Sequence, residues 1–409
     1  MEKKSLKKLI IIIYAIIIIY TLEILTYLFL VPEQQKLLVD IENSRVGLAK
    51  ELGIKIDKRT ELKAFLDEKK NYPKLEPSFY FNRQYENFST FKNAIENNLH
   101  IPFRGPINNL TLSCNEELSY SIIQNDKFGF KNRNKIYEKN ISIAVLGDSY
   151  AEGLCQNNEN DVAGHLIKSG VNTVNLGVTG SGPLLSLAIL KEYVNFFNPQ
   201  MVVYLYFEGN DLNDLKWEIE QEYLKNYLKK GYIKDYVNNQ ENISTFLENI
   251  KLEQYEIIKQ LSKDDLITID NKEKNKKYEI FKDLRELTNL RTILKGLINY
   301  NDTSNSIEIL FSVIDKMNYE LLNQNKDFIF VYVPSWVRYF TNNSKNIYLN
   351  NKDKIIEFLK KTKTKYIDLD EYFINDPNLN ENFPLGFVGH YSSKGYEKIA
   401  NLINEEFKN

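Results

Sequence analysis

Ser149 stands in the segment Gly147-Asp148-Ser149-Tyr150-Ala151-Glu152-Gly153, directly after the short apolar run Ile143–Leu146. A serine hydroxyl is a weak nucleophile until a base takes its proton. The chain offers three histidines for that task. His100 lies upstream of any strand pattern, and His165 falls on a helical face (Val162-Ala163-Gly164-His165-Leu166), where a packed histidine is the commoner outcome. His390 lies in the loop Gly386-Phe387-Val388-Gly389-His390-Tyr391, immediately before the last helical pattern, so by elimination it is the expected general base. Acyl transfer also needs donors for the oxyanion of a tetrahedral intermediate, each worth about 10²–10³ in rate. Three are available at expected strand ends: the N–H of Ser149, the N–H of Gly180 and the side-chain amide of Asn210.

The elements that would position them read as strand and helix in alternation. Apolar runs without polar alternation occur at Ile143–Leu146, Val171–Leu176, Met201–Phe207, Phe328–Val333 and, more weakly, Tyr366–Leu369. Such runs mark strands buried on both faces, as in a parallel sheet sandwiched by helices. Helical patterns fall between or after them at Pro183–Phe197, Ser306–Gln324, Lys352–Lys361 and Ser392–Phe407. Ligands of open α/β sheets bind beyond the carboxyl ends of the strands, near the switch point. Between about residues 213 and 300 the pattern is interrupted by a charged, helical insertion carrying Trp217, Tyr223, Tyr227, Tyr232 and Tyr236. It reads either as a lid near the carboxyl edge of the sheet or as an outer layer with an aromatic core stripe.

Composition narrows the classes. The 409 residues carry 53 Lys+Arg against 55 Asp+Glu, a formal net charge of −2, which leaves no overall footprint for nucleic acid. A hydrophobic content of 43% excludes a wholly disordered chain. Two Cys and three His are too few for a Cys/His zinc cluster or an iron–sulfur site, so no metal is expected. No phosphate loop for a flavodoxin-type cofactor follows the first strand.

The spaced set Gly147-Asp148-Ser149, Asn175-x-x-x-x-Gly180, Gly209-Asn210-Asp211 and His390 resembles the SGNH (GDSL-type) hydrolase superfamily over roughly residues 141–407, apart from the insertion. The resemblance implies a three-layer α/β/α sandwich with a flavodoxin-like parallel sheet and no metal or organic cofactor. It implies cleavage or transfer of acyl groups at oxygen esters, with Ser149 as nucleophile, Gly180 and Asn210 in the oxyanion hole, and His390 as base. One departure stands out: the family's aspartate three residues before the histidine is here Phe387. Asp368 or Asp370 is the expected replacement, with Asp376, a backbone carbonyl or a Ser–His dyad as alternatives. The segment Gly105–Glu116 with Cys114, followed by Asp126-Lys-Phe-Gly-Phe-Lys-Asn, resembles membrane-anchored bacterial members associated with surface polysaccharides.

The N-terminus points to the same compartment. Lys3, Lys4, Lys7 and Lys8 precede Leu9–Val31, an apolar run broken only by Glu23. A helix of that length spans about 35 Å, enough to cross a hydrocarbon core of about 30 Å. The lysines keep the N-terminus cytoplasmic and place the remainder outside. The expected organisation is thus a tail and anchor over 1–31, a stalk and preamble over 32–140, and the hydrolase-like domain over 141–409. In an oxidising space Cys114 and Cys155 are expected to bridge, tying the preamble to the loop after Ser149. The leading reading is a membrane-tethered extracytoplasmic serine esterase acting on an acylated carbohydrate or other ester, with no nucleic-acid partner. The alternatives are an O-acetyltransferase acting on a glycan and a non-catalytic carbohydrate-binding module, with Trp336 and Tyr339 as stacking residues.

Overall fold

In the computed structural model, which describes residues 2–25, 41–260, 287, 303–340, 351–386 and 389–408, five parallel strands form one sheet. They are β5 (Ile143–Gly147), β6 (Thr173–Asn175), β7 (Met201–Phe207), β8 (Asp327–Val333) and β9 (Lys365–Asp368), in spatial order β6-β5-β7-β8-β9. Four shorter strands precede them: β1 (Phe79–Tyr80), β2 (Arg104–Gly105), β3 (Leu110–Leu112) and β4 (Ile122–Gln124). The sheet order is the flavodoxin-like one, with its switch point between β5 and β7.

Period-two alternation explains why the strands read as continuous apolar runs. Met201, Val203 and Leu205 of β7 enter one hydrophobic cluster, while Val202, Tyr204 and Tyr206 enter another. Ile329 and Val331 of β8 follow the first set, and Phe328, Phe330 and Tyr332 the second. Side chains on opposite faces of a pleated strand require two apolar partners, and helices supply both.

Twelve helices matter here: α1 (Glu2–Leu25), α2 (Ile41–Glu51), α3 (Glu61–Asn71), α4 (Ser89–Glu96), α5 (Ser149–Glu152), α6 (Val162–Lys168), α7 (Pro183–Ile189), α8 (Asp211–Glu218), α9 (Gln240–Gln260), α10 (Thr303–Leu322), α11 (Lys352–Thr362) and α12 (Ser393–Lys408). One face of the sheet is covered by α6 and α12, through Val162, Leu166, Tyr396, Ile399 and Ile403. The other is covered by α7, α8, α10 and α11, through residues such as Leu184, Leu215, Val313 and Leu359. The result is three layers.

The preamble is not a separate stalk in its packing. Phe79, Phe81, Phe103, Phe128 and Phe130 belong to the same cluster as Tyr204 and Phe330 of the sheet. Phe103 stacks on Tyr236 with ring centroids 4.5 Å apart, and Phe81 stacks on Tyr223 at 5.7 Å. The described part of the insertion is therefore an aromatic layer against the preamble, and α9 continues it: Glu253 receives the N–H groups of Ser89 and Thr90 at the start of α4. Residues 261–302, except 287, lie outside the described residues.

Helix α1 covers part of the apolar run Leu9–Val31, and residues 26–40 lie outside the described residues. Among the described residues no helix is long and apolar enough to cross a membrane.

Candidate active site

The nucleophile candidate is held by a tight strand-to-helix turn. Gly147 adopts φ +138°, and a Cβ there would lie 2.4 Å from the Leu205 carbonyl oxygen, so only glycine lets β5 turn against β7. Asp148 then caps α5, accepting the Tyr150 N–H at 2.8 Å. Ser149 opens the helix and is buried, and its Oγ lies 2.9 Å from His390 Nε2. The imidazole is carried by a segment anchored on both sides. Tyr391 is fully buried and donates its hydroxyl to the Pro334 carbonyl at 2.6 Å, and the Tyr150 ring lies 4.8 Å from that of His390.

The third member comes from an unexpected place. Glu116 Oε2 lies 3.1 Å from His390 Nδ1 and accepts the His390 backbone N–H at 2.7 Å. A carboxylate only accepts, so Nδ1 carries the proton and Nε2 presents its lone pair to Ser149. Asp368 and Asp370, the expected orienters, face elsewhere: both bind Lys352 at 2.7 Å, and Asp370 also receives the Tyr339 hydroxyl at 2.9 Å. These carboxylates lie at and just after the end of β9, the edge strand beyond β8, and their ion-pair partners there are Lys352 and Arg338. Asp376 accepts the Asn382 amide at 2.8 Å and pairs with Lys398. Phe387 lies outside the described residues.

Glu116 is positioned by covalent and polar ties to the loop after Ser149. Cys114 and Cys155 form a disulfide with Cα atoms 4.7 Å apart. Ser113 Oγ accepts the Cys155 N–H at 3.0 Å, and Ser121 Oγ donates to the Cys155 carbonyl at 2.9 Å. Gln156 donates to Glu117 at 2.7 Å and to the Tyr391 carbonyl at 3.2 Å, which links both flanks of the Glu116–His390 pair. A sequence signal for this existed. A cysteine two residues from a glutamate, bridged to a cysteine six residues past the nucleophile, places that glutamate at the site.

The donor candidates sit at the ends of the neighbouring strands β5, β6 and β7. The Ser149 N–H begins a helix, where first-turn N–H groups have no intrahelical partner. Gly180 occupies the third position of a turn closed by Ser181 N–H to Val178 O at 3.0 Å, with φ +76°. A positive φ there marks a type II turn, whose third N–H lies outside the turn's own hydrogen bond. The Asn210 amide donates to Asp214 at 2.8 Å, which leaves one of its two N–H bonds for another acceptor.

Electrostatics follow from burial and pairing. Burial alone would lower the His390 pKa, but the Glu116 carboxylate more than offsets this and raises it above the ordinary imidazole value of 6.5. Burial would raise Glu116, yet His390 and then Arg45 hold it below the usual glutamate value. Burial pushes Asp148 and Asp211 up together, and pushes Asp214 up to about 6 against the opposing charge of Arg83.

The other histidines do not join the site. His165 Nε2 pairs with Ser393 Oγ at 3.2 Å, and His100 Nε2 with the Lys234 carbonyl at 2.7 Å. Trp336 is buried in the core, whereas Tyr339 is half-buried, with its ring 6.4 and 6.5 Å from those of Phe373 and Phe383. Cys114, Glu116 and Cys155 converge closely enough to hold a metal ion, but the two sulfurs are bonded to each other.

No family model and no curated protein matches the chain. Among solved structures it is similar to the lipase/acylhydrolase from Enterococcus faecalis (15% identity, 66% of this chain and 96% of that one, TM-score 0.33). It is also similar to a GDSL-like lipase from Bacteroides thetaiotaomicron (12%, 66% and 89%, TM-score 0.33). A family 3 carbohydrate esterase from Clostridium thermocellum gives 13% identity over 65% of this chain and 94% of that one, with a TM-score of 0.32.

Proposed function

We propose that this chain is a serine esterase that cleaves an O-acyl ester through Ser149, His390 and Glu116. The observation that carries the reading is the unbroken line from hydroxyl to imidazole to carboxylate, 2.9 Å and 3.1 Å in its two links. The Ser149 proton passes to Nε2 as Oγ bonds to the ester carbonyl carbon. The oxyanion so formed meets the N–H groups of Ser149, Gly180 and Asn210. Collapse breaks the ester C–O bond, and the leaving alcohol takes the proton from Nε2. Water then repeats the sequence on the acyl-enzyme and releases the acid.

The reading extends to place. The disulfide supports an oxidising compartment, and the lysines before Leu9–Val31 support a tether with the N-terminus inside. An O-acylated surface carbohydrate is the substrate to test first, given the preamble's resemblance to anchored proteins of that kind.

The test is incubation of the full-length chain in detergent with p-nitrophenyl acetate, with and without a chitooligosaccharide, alongside Ser149→Ala. Hydrolysis by the wild type alone is expected. Acetylated sugar would instead make the protein a transferase, and equal silence from both proteins across an ester panel would overturn catalysis.

A further inference from the structure

A residue of the preamble stands beside Gly180, one of the candidate oxyanion donors. Asn82 precedes a short helical turn, Arg83–Tyr85, and its Oδ1 accepts the Gln84 N–H at 3.1 Å. That bond fixes the amide, because the oxygen is tied to the turn and Nδ2 must face the other way. It faces Gly180: a Cβ on that glycine would lie 3.0 Å from Asn82 Nδ2 and 3.5 Å from Asn82 Cβ. Glycine at 180 is favoured by its φ of +76°, and an added Cβ would also press on the Asn82 amide.

A donor inventory of this wall shows what remains for a ligand. The N–H and Oγ1 of Thr179 both donate to Glu152 Oε2 at 2.8 Å. Ser181 donates its N–H to Val178 O at 3.0 Å and its hydroxyl to Gly147 O at 2.9 Å. Among the described residues neither the Gly180 N–H nor Asn82 Nδ2 has a protein acceptor. The backbone carrying Asn82 is rigid, since Phe81 is fully buried and pairs its N–H with Phe103 O at 2.9 Å, and Tyr85 is buried in the same cluster. Both residues are half-buried, and fixed donors without protein acceptors that an incoming ligand can reach are what an anion pocket needs.

We infer that Asn82 Nδ2 is a further oxyanion donor, acting with Gly180 on the tetrahedral intermediate formed at Ser149. The inference rests on the esterase reading and adds a catalytic residue to it from outside the α/β core. A donor meeting charge that exists only in the transition state acts on kcat and leaves KM nearly unchanged.

The experiment compares full-length wild type, Asn82→Ala and Asn82→Ser for fluorophosphonate labelling rate, kcat and KM on p-nitrophenyl acetate, and thermal midpoint. Serine keeps an oxygen for the Gln84 N–H but is too short to reach the pocket, so it separates capping from donation. Both variants are expected to lose about 10²-fold in kcat and in labelling rate, with serine keeping the wild-type midpoint. Wild type that labels while both variants match it within about threefold overturns the role of Asn82 and leaves Ser149 standing. Wild type that does not label overturns the esterase reading, and this inference with it.

Discussion

Replacing Glu116 by Gln isolates the charge of the orienting group from its geometry. The His390 backbone N–H donates to Oε2 at 2.7 Å and can accept nothing in return, so a glutamine there turns its oxygen to that N–H. The same oxygen then accepts the Nδ1 proton, and the reactive tautomer survives. What is lost is the attraction between the carboxylate and the imidazolium formed as Ser149 gives up its proton. At 3.1 Å that attraction is about 5 kcal/mol at an effective dielectric of 20 and about 1.3 kcal/mol at that of bulk water. The two side chains are 19% and 17% exposed, so a value near the middle, about 3 kcal/mol, applies. Glu116→Gln should therefore lower kcat about 10²-fold, whereas Glu116→Ala, which also frees the tautomer, should approach the 10⁴-fold known for a lost orienter. The pH profile supplies a second signature. The carboxylate raises the His390 pKa above 6.5, so the wild-type acid limb of kcat/KM lies above that value; without it, burial pulls the limb below. The deficit of the variant is then smaller at pH 5.5 than at pH 8. Linkage runs the same way: stability from the raised pKa is fully present below 6.5 and lost as pH rises through the folded value. Hydrolysis of p-nitrophenyl acetate across pH reads both effects. Wild-type turnover in Glu116→Gln, with collapse in Asp370→Asn or Asp368→Asn, would refute the assignment.

Three further outcomes follow from how the preamble is fastened. Thiol titration of the unfolded chain should find no free thiol before reduction and two after. Replacing both cysteines by serine should cost about 4 kcal/mol in thermal or denaturant unfolding for a bridge between residues 41 apart, with a fall in turnover as Glu116 loosens. Arg104 and Glu152 form a fully buried pair at 2.8 Å, so Arg104→Met, which strands the Glu152 charge, should cost about 3–5 kcal/mol in urea unfolding. Adding Glu152→Leu should recover part of that loss, and a full-size loss in the double variant would show that the pair's charge is not the cause.

The strands of the sheet were legible because burial on both faces removes polar alternation, and Met201–Phe207 has the same limits in sequence and structure. His390 was legible by scarcity, being one of three histidines. Glu116 was not, because it is one carboxylate among 55 acidic residues and comes from a region whose strands are only two or three residues long. Such strands carry too few residues for a period to show. The preamble hid its core for a related reason. Some of what it buries is charged, and Arg104, Lys131 and Asp126 read as surface residues until their partners are known.

Those buried charges explain how Glu116, so far upstream, is held against His390. Helix α5 is four residues long and has almost no stability of its own. It is held instead by the preamble: Arg104 grips Glu152, Lys131 donates to the Glu152 and Gly153 carbonyls at 3.1 and 2.7 Å, and Lys131 pairs with Asp161 at 3.0 Å. Glu152 in turn receives Thr179 and so fixes the turn that carries Gly180. Removing either partner of these pairs leaves a bare charge in the core, which penalises any small displacement far more than apolar packing would. The segment that fixes the nucleophile helix is also continuous with the one that orients the base. Ser149, His390 and Gly180 are therefore registered against one another through residues 79–161, rather than through the sheet alone.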